Sequence, residues 1–144
     1  VLALVGRVEA RDWVDVVHVS EHVQPLGYLA WAACGKDAGF SPAAILEHTA
    51  RSTHYAPAEI QALSFAPEPP DAAALARRWR AELAEARGIV ALLPPAEVGR
   101  CVLARDGTLF TGSAADLRRA LDRKGLVFHE GAIRGALPQL RRAD

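Results

Sequence analysis

The chain of 144 residues contains no methionine, and its aromatic content is only 6%. Cysteine is nearly absent too. Cys34 and Cys101 stand far apart, which excludes the dense, even spacing of a secreted disulfide scaffold and the paired spacing of a zinc site. They read as free thiols of a reducing cytoplasm. Neither sign of charge is in excess: 17 basic residues balance 17 acidic ones, so no global field draws the molecule to nucleic acid or to an anionic membrane. DNA binding is not expected. No window approaches the ~18 consecutive apolar residues of a membrane span, and the N-terminus lacks the basic flank and cleavage pattern of a signal peptide. A cytoplasmic location is therefore the expectation. The missing methionine, with an opening VLALVGR that begins in mid-pattern, leads us to expect a fragment whose upstream residues carry part of its chemistry.

What remains is ordinary globular material: 51% hydrophobic and 24% charged residues, in a chain long enough to bury one core. Residues 1–6 read as the end of an apolar helix that stops near Gly6. Helix resumes from Arg11 to about Val23, with Trp13, Val16 and Val17 on one stripe, and Gln24-Pro25 ends it. LGYLAWAAC, residues 26–34, is apolar almost all round and should be a buried helix. Ser41-Pro42 and Ala56-Pro57 each announce a helix start, over about 43–51 and 58–63. The run PEPP, 67–70, is a stiff linker. Asp71 caps the longest helix, about 72–92, with Leu75, Trp79, Leu83 and Ala86 inward and Arg77, Arg78, Arg80, Glu82 and Glu85 toward water.

Beyond Pro94-Pro95 the period changes from about four to two. Residues 101–104 and 108–111 flank Arg105-Asp106-Gly107, a hairpin signal. Ser113, with Asp116 at the capping-box position, opens a helix to Lys124, and residues 126–129 read as a third strand. The predicted fold is α+β and predominantly helical: a helical bundle over 1–95, followed by a small β-β-α-β subdomain over 96–144.

The stretch RVEARDWVDVVH, residues 7–18, is the best functional clue. Asp12 and Asp15, three apart, lie on one side of a helix beside Arg11, with Arg7 just upstream. Two carboxylates so placed hold a divalent metal or orient an attacking hydroxyl, while arginine grips a phosphate on two oxygens. The plainer reading makes Asp12 the N-cap, Asp15 a partner of the helix dipole and Arg11 a surface ion-pair residue. His18 and His22 have the i, i+4 spacing of a helical metal pair, but a third ligand is not evident and a solvated face accounts for them. His48, His54 and His129 are isolated. Lys36, after the helix end at Gly35, suits the last carbonyls of that helix. Gly112-Ser113 is a strand end and helix cap, since no Asp-x-Asp follows it. Arg118, Arg119, Arg123, Lys124, Arg134, Arg141 and Arg142 gather in the last third, where interspersed acids favour a solvated face over an RNA surface.

Leu4-Val5-x-Arg7, followed by Glu9-Ala10-Arg11-Asp12-x-x-Asp15 with Trp13 in an aromatic place, resembles the late motif of the AbiEii/AbiGii-type nucleotidyltransferase-like proteins, the toxin half of abortive-infection systems. Gly35-Lys36-Asp37-x-Gly39-Phe40-x-Pro42 resembles the lysine-then-Phe-x-Pro segment of the same family. The resemblance covers about residues 1–65. It implies the C-terminal portion of a protein that, when intact, transfers a nucleotidyl group from a nucleoside triphosphate to an RNA or protein acceptor with Mg²⁺. In that reading Arg11, Asp12 and Asp15 are catalytic, Arg7 and Lys36 bind substrate, and an antitoxin protein is a partner. The family's Gly-Ser, its Asp-x-Asp and an upstream lysine are absent here, so no metal ligands are assigned in this chain and it is expected to be inactive alone. The alternative is a non-catalytic helical module that binds a partner protein.

Overall fold

The computed structural model describes residues 1–7, 9–52, 55–63 and 71–130, without the side chains of residues 3, 7 and 52. The fold is α+β and mostly helical, with seven α-helices and a two-stranded antiparallel sheet among the described residues. The helices are α1 (Leu2–Arg7), α2 (Ala10–His22), α3 (Leu26–Ala33), α4 (Pro42–Ser52), α5 (Pro57–Gln61), α6 (Ala72–Leu92) and α7 (Ala114–Asp122). The strands are β1 (Cys101–Ala104) and β2 (Leu126–His129). No described helix is long and apolar enough to cross a membrane. The PEPP linker, His54 and the basic residues Arg134, Arg141 and Arg142 lie outside the described residues.

Helix starts follow their caps. Ser41 Oγ accepts the Ala44 N–H at 3.1 Å, and the Asp71 carboxylate accepts that of Ala73 at 2.9 Å. Ser113 and Asp116 complete a reciprocal box, with the Asp116 carboxylate taking the Ser113 N–H at 3.0 Å. These contacts satisfy donors that have no partner within their own helices.

α3 is the axle of the molecule. Its Leu26 and Ala30 join a core with Leu4, Trp13, Val17, Ile45 and Trp79, while Tyr28 and Trp31 on its other side pack with Ile89, Leu93, Val102 and Leu117. A helix buried on both sides cannot carry a polar stripe, which is why LGYLAWAA is apolar almost all round. Gly27 lets α6 come close: a Cβ there would stand 2.7 Å from Ile89 Cβ.

Two glutamates of α6 do not face water as their spacing suggested. The Glu82 carboxylate accepts the Leu26 N–H at the start of α3, and Glu85 Oε1 accepts the Ala114 N–H at the start of α7. Both sites are natural anion positions at positive helix ends. One helix thus caps two others.

The hairpin expectation also needs correction. β1 pairs with β2, Val102 opposite Phe128 and Leu103 opposite Val127, whereas residues 108–111 make only an isolated bridge between Leu109 and Leu103. The turn itself is present, with Ala104 N–H donating to Thr108 O at 2.8 Å and Phe110 N–H to Val102 O at 3.0 Å. The Phe110 carbonyl is taken by another partner. Buried Gln24 donates through Nε2 to Phe110 O at 2.9 Å and to Val102 O at 3.1 Å, and Tyr28 OH donates to Gly112 O at 2.7 Å. Side chains of the helical body therefore claim acceptors that a longer ladder would need, and the predicted β-β-α-β order becomes β-α-β.

Trp31 is 3% exposed, and its indole N–H donates to Glu97 O at 2.8 Å. Trp31→Ala should cost about 3–5 kcal/mol, read as a shift in the denaturant midpoint. An unchanged midpoint would remove α3 from its central place.

Burial, opposed by the Leu26 hydrogen bond and reinforced by Glu21 and Glu85, pushes the Glu82 carboxyl above its ordinary 4.5. The folded state then binds the proton more tightly than the unfolded chain, so this group's contribution to stability declines as pH rises from 4.5 through the raised folded value. Glu82→Gln keeps an acceptor for Leu26 and should flatten that decline. Urea melts across the acid range test it, and an identical slope in both proteins would refute the assignment.

Candidate functional site

A cleft of about 740 Å³ opens between α1, α2, α3 and the segment that leads into β1. α2 supplies one wall through Asp12, Asp15, Val16 and Val19, residues that recur at i, i+3, i+4 and i+7 and so share a face. Leu4 and Leu29 add apolar surface from α1 and α3, and Val98 adds more from the opposite side. Lys36, Arg100 and Glu130 place charges on the same cleft.

The floor of the cleft depends on two glycines. At Gly35, just beyond α3, a Cβ would meet the Gly99 carbonyl oxygen at 2.2 Å, and Gly99 itself has φ +86°. Only glycine at both positions permits this backbone contact without strain. The Gly99 N–H donates to Trp31 O at 3.1 Å, fastening the β1 approach to the end of α3. Lys36 and Arg100 follow these glycines directly and are brought to one cleft although they lie far apart in the chain.

Arg100 is held rather than loose. Its two terminal nitrogens donate to Glu97 Oε2 at 2.7 Å and to Glu130 Oε1 at 2.9 Å. Those bonds hold its guanidinium pKa above the ordinary value. The sequence gives no sign that Arg100 and Glu130 share this cleft, and marks Cys101 only as a free thiol. Gly99, soon after Pro94-Pro95, is a signal of a special turn but names no neighbour.

The structure brings Asp12, Asp15 and Lys36 together and leaves Arg11 exposed and away from the cleft lining. The Arg7 side chain lies outside the described residues. Asp12 is not the N-cap: α2 begins at Ala10 behind Glu9, which makes no side-chain cap, so Asp12 is the third helical residue and is only 9% exposed. Its charge reaches beyond the cleft. Desolvation first, then Asp12, then Glu59 and Glu9, raise the Tyr55 phenol above its usual value. Tyr55 packs tilted against Trp13, with ring centroids 5.3 Å apart and planes inclined by 34°, and Trp13 meets Trp79 edge-on at 6.2 Å. Asp12 therefore stands between the cleft and the aromatic core.

Among the described residues no group of three or more His, Cys, Asp and Glu side chains is placed to hold an ion. Cys34 and Cys101 are both free; burial, then Asp37, push the Cys34 thiol up and make it a poor nucleophile. What the cleft does offer is an apolar trough with carboxylates on one wall and two cations beside Gly35 and Gly99, a shape suited to an amphipathic ligand with an anionic group.

No protein-family model, no curated protein and no solved structure matches this chain.

Burial separates the two aspartates energetically. Asp12→Ala should cost about 1–3 kcal/mol, because it strips a buried polar group from its surroundings, whereas exposed Asp15→Ala should change stability by under ~0.5 kcal/mol. Denaturant midpoints of the two variants decide it. Equal losses would contradict the placement of α2.

Proposed function

We propose that this chain is the helical C-terminal part of a nucleotidyltransferase-like protein, and that its cleft positions a nucleotide or the acceptor during transfer to RNA or protein. The observation that carries this reading is the meeting of Asp12, Asp15 and Lys36 in one cleft with Arg100. Apolar walls suit a base or an acceptor side chain, and the cations suit phosphate oxygens. Asp12 and Asp15 orient a hydroxyl or an amine by accepting its hydrogen bond. Arg7 and Arg11 remain phosphate-contact candidates from the family resemblance alone, Arg11 being exposed and outside the cleft lining.

Mg²⁺ and the nucleoside triphosphate belong to the intact protein in this reading. Mg²⁺ takes one or two carboxylates beside waters and substrate phosphates; Asp12 and Asp15 are not joined by a third ligating side chain among the described residues, and no step is assigned to a metal held by this chain. An antitoxin protein is the proposed regulatory partner.

A second reading, from a different class, draws on the apolar wall formed by Leu4, Val16, Leu29 and Val98, the last 46% exposed. There the chain is a non-catalytic helical module whose cleft receives apolar side chains of a partner protein.

Activity of the complete protein distinguishes the two. Labelled nucleoside triphosphate, Mg²⁺ and total RNA or protein should give no incorporation with this chain alone. In the complete protein Asp12→Asn should lower incorporation ~10²-fold while the fold is retained. Full activity in Asp12→Asn and Arg11→Lys together would leave the interaction module as the better account.

A further inference from the structure

α2 carries a second cluster of chemistry that the cleft does not use. His18 and His22 lie one turn apart near its C-terminal end, both exposed, with ring centroids 4.2 Å apart and planes inclined by 24°. The His22 ring is also oriented. Its Nδ1 lies 2.9 Å from the His18 carbonyl oxygen, and since a carbonyl only accepts, Nδ1 carries the proton and Nε2 keeps its lone pair. This is how second-partner hydrogen bonds prepare a histidine for a metal.

We propose that His18 and His22 form a two-histidine chelate for a divalent transition-metal ion. The helix sets the spacing, so once one imidazole has bound the second closes the chelate at high effective concentration. The nearest carboxylate in sequence, Glu21, is engaged by Arg78 Nε at 2.8 Å. With no third side chain placed to join among the described residues, water or donors of another molecule complete the coordination. Imidazole pairs favour Zn²⁺, Ni²⁺ and Cu²⁺, whereas Mg²⁺ and Ca²⁺ require oxygen ligands. This site is therefore chemically distinct from any Mg²⁺ used in nucleotidyl transfer, and it stands whether or not that function does.

Protons compete with the metal. Both rings must be neutral to bind, so the metal and protons compete for the same nitrogen lone pairs. Charged groups beside the pair include Asp15 and Glu21 on α2 and, on α6, Arg78, which pairs with Glu21, and Glu82, which interacts with both.

The test is calorimetric titration of the whole chain with NiCl₂. One Ni²⁺ should bind near neutral pH, with affinity at least about tenfold weaker in His18→Ala and in His22→Ala and unchanged in His48→Ala. Excess Mg²⁺ should not compete. Because both histidines are exposed, circular dichroism should show each variant folded; His22→Gln is the second choice should His22→Ala lose helix. Imidazole NMR signals of His18 and His22 should respond to Ni²⁺ before any others. Absence of Ni²⁺ binding, or binding that survives the loss of either histidine, overturns the proposal.

Discussion

Gly35 and Gly99 meet backbone to backbone, and the cleft exists because they do. A methyl group at Gly35 would lie 2.2 Å from the Gly99 carbonyl oxygen, well inside any tolerable contact, so neither strand of chain can be replaced by an ordinary residue without separating the two. The Gly99 N–H to Trp31 O and Trp31 Nε1–H to Glu97 O bonds clamp the same crossing from both sides. Lys36 and Arg100 owe their shared location to it. So does the second core cluster, since Trp31 is at once a pillar of that cluster and a partner in the clamp. Packing, turn conformation and charge placement are here consequences of a single close approach.

The rest of the fold distributes its polar obligations in a similar way. α6 contributes Leu75, Trp79, Leu83, Ala86 and Ile89 to the interior while its Glu82 and Glu85 satisfy the first N–H groups of α3 and α7. Hydrophobic burial supplies the main driving force, but the angles at which α3 and α7 sit on α6 are tied to these two carboxylates. A negative charge at a helix start is favourable in itself. That Glu82 is raised nonetheless shows burial prevailing over the hydrogen bond it accepts.

Much of this was readable from the sequence where the determinant is local. Ser41, Asp71 and Ser113-x-x-Asp116 act within a single turn, and the stripe of α6 repeats over about four turns of one helix, so caps and core face were legible. So was the apolar α3. The Asp12-Asp15 pair and Lys36 stood out in the sequence, but not as neighbours, and the structure places all three on one cleft. What escaped is set by distant partners. Glu82 and Glu85 look solvated from their spacing, Asp12 looks like a cap although the helix starts two residues earlier, and Arg100 has no local pattern to mark it. The second hairpin arm failed for the same reason: its alternation is genuine, but Gln24, 86 residues before Phe110, decides where its carbonyl goes.

That last contact has a bearing on how the turn is held. Because Gln24 donates to both Val102 and Phe110, the turn between them is completed from outside by a side chain at the end of α2. The Ala104 N–H to Thr108 O and Phe110 N–H to Val102 O bonds close the turn locally, whereas the Gln24 bonds reach across 78 and 86 residues. The 101–111 turn thus draws its order from two sources, one local and one supplied by the helical body. Loss of the helical body would remove the Gln24 and Tyr28 donors and leave the turn only its own backbone bonds.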